Sequence, residues 1–254
     1  MIESTTSISP RSRSVDLGRA FNFLLHPRDE MAKLAGNEKA SWLTPMLILS
    51  IALLLRVLVS GYLQVRAAAL GEITLPPDWQ FWTPEMQNNY MQAIQTTQGP
   101  AFVYVIPIVS GLIKLWLGWV LLAGLFHLLS TLLGGRGSMR SALNVVAWAS
   151  LPFAARDILR VIFMLIVGHP ISSPGLSAFG GSSVFVSQLL ANFDLFFLWH
   201  AFLMAIGTSL VDSLPVRKAA LAVSIVLVIS LLVQAGLGSL GSSMSGFMVN
   251  RPFF

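Results

Sequence analysis

The sequence predicts an all-α integral membrane protein: a bundle of five transmembrane helices with a cytoplasmic amphipathic N-terminal helix. Three observations carry that expectation. Of the 254 residues, 55% are hydrophobic and only 11% charged, and the mean hydropathy is +0.73. Soluble domains carry about 25% charged residues, so this chain lacks the side chains that cover a water-facing surface. Next, five apolar segments reach the roughly 20 residues that span a bilayer core: approximately 43–64, 103–131, 141–167, 185–210 and 217–238. Backbone polar groups in lipid must be paired within their own segment, which makes these segments helices. Finally, Lys and Arg between the segments are asymmetric. Ten fall on one side (Arg11, Arg13, Arg19, Arg28, Lys33, Lys39, Arg136, Arg140, Arg217, Lys218) and two on the other, Arg66 and Arg251. By the positive-inside rule the N-terminus is cytoplasmic and the C-terminus external. The expected location is the plasma (inner) membrane, multi-pass.

The same Lys/Arg excess explains the net charge of +5. Because it flanks apolar segments it reads as a topology signal, and no nucleic-acid partner is expected. The chain has no cysteine, which excludes disulfides, thiol catalysis and thiolate metal sites. No long apolar run with a following small-residue cleavage site occurs in the first 40 residues, so no signal peptide is expected.

Taken in order, residues 1–16 are polar and read as a disordered cytoplasmic tail. Residues 17–42 form the amphipathic juxtamembrane region. Within it, Pro27 suits a helix first turn, Asp29 and Glu30 its positive end, Lys33 its negative end and Gly36 its C-cap. Phe21, Leu24, Leu25, Met31 and Leu34 supply apolar surface, for a helix lying on the membrane face or packed on the bundle. The membrane domain covers 43–238, with an external loop at 65–102 in which Trp79 and Trp82 suit the headgroup layer as interface anchors. Thr83, Pro84 and Glu85 mark the start of a short helix in that loop, along which Met86, Tyr90 and Ile94 make an apolar stripe. In the second span, Gly111 and Gly118 lie seven apart and offer a close-contact face for another helix. Gly134, Gly135 and Gly137 predict a tight turn, with Ser138 capping the helix that follows. The uncharged loop "GHPISSPGLSAFGGSS" reads as flexible or loosely packed, and residues 239–254 as an external tail of similar character whose "NRPFF" end suits an interface anchor.

The strongest chemical signal is charge inside the spans: Arg56 in the first, Lys114 in the second, Arg156, Asp157 and Arg160 in the third, Asp194 in the fourth. An ionised group at the bilayer centre costs about 2.5–3.5 kcal/mol on insertion scales. The six are therefore expected to face inward as a polar network, with Asp194 the counter-ion to the Arg156/Asp157/Arg160 face. Pro152 is expected to bend its helix toward them. Such a network serves either as a substrate or ion path or as a static device fixing helix register. The four histidines, His26, His127, His169 and His200, share no metal-ligand spacing. The glycine loop lacks the Gly-Lys-Ser/Thr of a phosphate-binding loop, and no Gly-x-Ser-x-Gly occurs. No cofactor, metal or enzymatic activity is expected.

"FNFLLHPRDEMAKLAG…SWLTP", "LLGGRGSMRSALNVVAWASLP" and "FDLFFLWHAFLMAIG", in that order over roughly residues 20–238, resemble the Yip domain family, named for its Ypt/Rab-GTPase-interacting eukaryotic members. The resemblance implies a five-helix membrane protein with a cytoplasmic N-terminus. The short N-terminal region is similar to that of the prokaryotic branch, some of whose members accompany ABC-type exporters. It thus implies a non-catalytic accessory or scaffold subunit whose partners are membrane lipids and other integral membrane subunits, with a homo-oligomer also open. Competing readings are a small transporter or channel using the buried charges, and a membrane-trafficking or membrane-shaping factor.

Overall fold

The structure is a computed structural model that describes residues 17–35, 41–72, 75–76 and 78–249. The 1–16 tail, the Gly36 cap and the "NRPFF" end lie outside the described residues. Every regular element among the described residues is helical.

The described residues begin with two short helices, α1 (Leu17–Leu25) and α2 (Pro27–Ala35), where the sequence suggests one. Pro27 has no N–H to continue α1 and instead starts α2 in a favoured first-turn position. The break lets both helices turn apolar residues inward. Phe23 and Met31 are completely buried and Leu34 nearly so. Their partners are two later helices, α6 (Met139–Ala149) and α9 (Leu195–Val211): a Cβ on Gly207 would stand 2.7 Å from Val145 Cγ1 and 3.1 Å from Met31 Sδ. The N-terminal helices are therefore wedged into the bundle. Of the residues expected to supply apolar surface to the membrane face or to the bundle, Phe21 and Leu25 stay exposed while Met31 and Leu34 enter the core.

The first long helix, α3 (Leu43–Ala69), has Pro45 in its first turn. Its start is tied to a distant helix, since Ser41 N–H donates to Asn144 Oδ1 at 2.9 Å and Trp148 Nε1 donates to Ser41 Oγ at 3.1 Å. After a one-turn 3₁₀ segment, Trp79–Phe81, comes α4 (Pro84–Thr97), capped by Thr83 Oγ1 accepting from Met86 N–H at 3.3 Å. A π-helical turn, Ala101–Val105, leads into α5 (Ile106–Leu132). The glycine turn follows, then α6 (Met139–Ala149), capped by Ser138.

The expected third span is two helices, α6 and α7 (Leu151–Val167), parted at Ser150. Pro152 explains the break. It supplies no N–H to the Trp148 carbonyl, and Phe153 N–H bonds to Ser150 instead of to Ala149. The expected fourth span is likewise α8 (Val184–Ala191) and α9 (Leu195–Val211), set at 60°. The loop before α8, expected to be loose, folds back on it. Leu176 N–H donates to the Leu190 carbonyl at 3.0 Å, and a Cβ on Gly175 would stand 2.7 Å from the Ala191 carbonyl oxygen. The last helix, α10, runs Val216–Val249, well into the segment expected as a tail. No proline interrupts it before Pro252.

Among the described residues, three helical stretches are long and apolar enough to cross a membrane: Leu43–Ala69, Ala101–Leu132 and Val216–Gly241, whose most apolar 18 residues have mean hydropathies of 2.2, 2.0 and 2.5. The bent α8–α9 pair makes a fourth if counted as one span. The bundle packs α3 on α7, α5 on α6, and α10 on α5, α8 and α9, with α2 against α9.

Candidate functional site: a charge cluster between α3, α7 and α9

The two helix breaks position the site. At the first, the freed Ala149 carbonyl accepts from the ring Nδ1 of fully buried His200 at 2.8 Å, tying α9 to the α6–α7 junction. The Phe153 ring lies 4.8 Å from the His200 ring and 4.7 Å from the Arg156 guanidinium. At the second break, Asp194 adopts an extended backbone (φ −148, ψ 178) and becomes the N-cap of α9. Its Oδ1 accepts from Phe197 N–H at 2.9 Å. Asp194 thus sits at a helix start, not within a continuous span. That makes its charge more tolerable, because unpaired amides at a helix N-terminus favour an anion.

Asp194 Oδ2 lies 3.4 Å from Arg156 Nη1 and 3.5 Å from Arg160 Nη2. Asp157 holds the other end of the cluster. Its Oδ2 is 3.3 Å from Arg56 Nε on α3, and its Oδ1 is 3.8 and 3.9 Å from Arg156 and Arg160. Arg156 and Arg160 are one helical turn apart on α7, so both reach the same two carboxylates. The structure therefore brings together five of the six charged residues singled out in the sequence. Lys114 is the exception: among the described residues no carboxylate lies within 4 Å of it. Donors outnumber acceptors, and Arg56 Nε, Arg156 Nε and Asp157 Oδ1 are buried without an aligned hydrogen bond. Chemically the cluster is an ionic clasp across three helices that retains a positive excess.

The other sequence candidates fall elsewhere. Trp79 and Trp82 meet the Tyr90 ring of α4 edge-on, each with its centroid 5.5 Å away, and Trp82 Nε1 donates to Asp78 at 2.9 Å. Gly111 faces Leu53 of α3, whose side chain would be 3.2 Å from a Cβ there, whereas nothing lies within 4 Å of one on Gly118. Seven residues return to nearly the same helix face, but α3 covers only the Gly111 level, so the pair does not form one free surface.

Two polar sites were not singled out in the sequence. Glu30 of α2, 5% exposed, accepts from Arg19 Nε at 2.9 Å and Lys33 Nζ at 2.6 Å, and Arg19 also stacks on Trp148 at 5.0 Å. Burial pushes the Glu30 carboxyl up, but the two cations outweigh it and hold it below the ordinary value of 4.5. A carboxyl lowered in this way stabilises the fold above 4.5 and loses that contribution as pH falls through its folded value. The second site is Asp212, 3% exposed, just after α9. It accepts from Ser130 Oγ, and its carbonyl accepts from Arg136 N–H at 3.1 Å. The glycine turn closes over it: a Cβ on Gly137 would overlap the Asp212 carboxylate, and one on Gly135 would overlap Ser130. Gly134 takes a left-handed φ of +94. The acidic residue facing the turn, some 80 positions away, was the available signal.

No curated protein and no solved structure matches the chain. A family model described as the Yip1 domain matches residues 21–237, which spans both N-terminal helices' apolar contacts, the glycine turn and the charge cluster. With most of its length inside that match, and with apolar helices long enough to cross a bilayer more than once, the chain is a multi-pass membrane protein that belongs to the Yip1 domain family.

Proposed function

We propose that this protein is a non-catalytic scaffold or accessory subunit of a larger membrane assembly, an ABC-type exporter being the class the family resemblance suggests. One observation carries the reading. The apolar window of Ala101–Leu132 is only 6% buried within the chain, against 39% for Leu43–Ala69. Val109, Ile113, Leu117 and Leu121 recur every four residues along it and are all exposed, and the open ground at Gly118 lies on the same helix. Lipid tails are as apolar as leucine, so helices associate in membranes through close packing at small residues, which Gly118 permits. Affinity purification in a mild detergent is expected to recover an exporter permease with the chain. Gly118→Leu is expected to release it while the chain remains inserted. Recovery of the chain alone, or partner retention by the variant, would count against α5 as the docking helix.

In this reading the chain crosses the plasma membrane five times, with α6–α7 as the span whose three charges are paired within the clasp. The N-terminus is cytoplasmic, and the 65–102 loop and C-terminus are external. Single cysteines report this cleanly in a chain that has none. Gln92 and Ser138 are both exposed. In intact cells a cysteine at Gln92 is expected to react with an impermeant maleimide, and one at Ser138 to react only after permeabilisation. The opposite pattern reverses the orientation.

A further inference from the structure

We propose that the groove between α3 and α5 binds a phosphate group, supplied by the headgroup of an anionic phospholipid and held by Arg56 and Lys114. Arg56, Ser60 and Gln64 lie four residues apart on one face of α3, and Ser110 and Lys114 four apart on α5. Residues at that spacing share a helix face, and these two polar stripes line one cavity of about 330 Å³. A second cavity of about 430 Å³ shares Gln64 and Val103 with it and is lined further along by Glu72 and Gln98. The two adjoin along a route that runs from the α3 C-terminal end to the middle of both helices.

The route has a built shape. At Gly61 the missing side chain admits Tyr104 of the π-helical turn, whose Cε1 would be 2.5 Å from a Cβ. Such π turns recur at functional positions in helices. The charge is unbalanced in one direction. Arg156 and Arg160 occupy both carboxylates of the clasp, and Arg56 meets Asp157 through Nε. The inner cavity is lined by no carboxylate, and among the described residues Lys114 has none within 4 Å. An ammonium midway along an apolar helix is costly, and a bound anion offsets that cost. A guanidinium beside an ammonium matches phosphate oxygens as a fork beside a point charge. Lipid is the favoured source because the groove lies between two long apolar helices, and Leu117, exposed on α5 three residues from Lys114 and so on the same side of that helix, gives an acyl chain a surface to follow from it.

The inference needs the helices to lie in a bilayer but does not need a protein partner, so partner loss and lipid loss are separate results. The full chain, purified in neutral detergent, is titrated with phosphatidylglycerol, with diacylglycerol bearing the same tails, and with inorganic phosphate, and bound lipid is counted by native mass spectrometry. Phosphatidylglycerol is expected to bind and diacylglycerol not. Lys114→Gln is expected to weaken phosphatidylglycerol about tenfold, the effect of removing one charge-assisted contact. Its lipid-free melting midpoint should be unchanged or higher, since Lys114 leaves no partner stranded. Lys218→Gln, which removes a cation bonded to the Leu133 carbonyl at 3.2 Å, is expected to leave binding unaltered. Displacement of phosphatidylglycerol by low-millimolar inorganic phosphate would assign the site to soluble phosphoesters. Equal binding of diacylglycerol, or full binding by Lys114→Gln, overturns the proposal.

Discussion

Asp194→Asn is expected to lower the melting midpoint in detergent by on the order of 10 °C. The substitution isolates charge from capping. Asparagine caps a helix about as well as aspartate, so the bond from Phe197 N–H, 2.9 Å in the native protein, is retained. What disappears is the anion that Arg156 and Arg160 face at 3.4 and 3.5 Å. Both arginine side chains are 19% exposed and the Asp194 side chain 15%, so water replaces it poorly. Stranding one member of a buried pair costs about 3–5 kcal/mol, with the lower end expected for this residual exposure. Each kcal/mol moves the midpoint by about 2–4 °C at this chain length. Asp194→Ala, which also deletes the cap, is expected to lose about 1 kcal/mol more. Combining Asp194→Asn with Arg160→Gln removes a cation along with the anion and is expected to cost less than the two single losses together. Strict additivity would mean that these groups are solvated separately, and the clasp would not be a unit.

The clasp was legible because charge is expensive in an apolar run. Arg156, Asp157, Arg160 and Asp194 stand out against their neighbours, and their need for partners follows from that expense. Local cap chemistry was legible for a similar reason: Thr83 and Ser138 each precede helices they cap through their own hydroxyls. The break at Ser150 was legible only as a bend at Pro152, and the one ahead of Asp194 was not legible, because hydropathy runs on across both. A kink changes which carbonyls are free without changing which side chains are apolar. Burial of Phe23 and Met31 was hidden for another reason. For Met31 it depends on the gap at Gly207 and for Phe23 on the ring of Trp148, and no pattern within residues 17–35 encodes partners so far away. The π-helical turn and the facing stripes of α3 and α5 also needed a structure, since Ser60, Gln64 and Ser110 carry no charge to draw notice. Lys114 was singled out with the others for its charge, yet charge alone does not say which partner it lacks.

Gly137→Ala is expected to destabilise the protein by about 1–3 kcal/mol, the range for forcing an extra methyl into a packed site. The new methyl would overlap the Asp212 carboxylate, and Asp212 has little room to retreat, being 3% exposed and bonded to Ser130. Asp212→Ala clears the overlap, so the double variant is expected to lose less than the two single losses combined. A double variant that simply adds them would show that the turn does not rest on Asp212. The acid also predicts a pH dependence. Burial raises the Asp212 carboxyl above its ordinary value of 3.8, against the opposing pull of the Ser130 hydrogen bond and of His127. A raised carboxyl is protonated more readily in the folded chain, so its contribution is full below 3.8 and is lost as pH rises through the folded value. At neutral pH the ionised form therefore works against the fold. Asp212→Asn keeps an acceptor for Ser130 and cannot ionise, so its melting midpoint is expected to exceed that of the native protein at pH 8 and to converge with it near pH 4. Glu30 acts in the opposite sense, its stabilisation being lost on acidification, and it is present in both proteins, so the difference between them isolates Asp212. A constant difference from pH 4 to pH 8 would show that Asp212 does not titrate differently on folding, and the turn would then be held by shape alone.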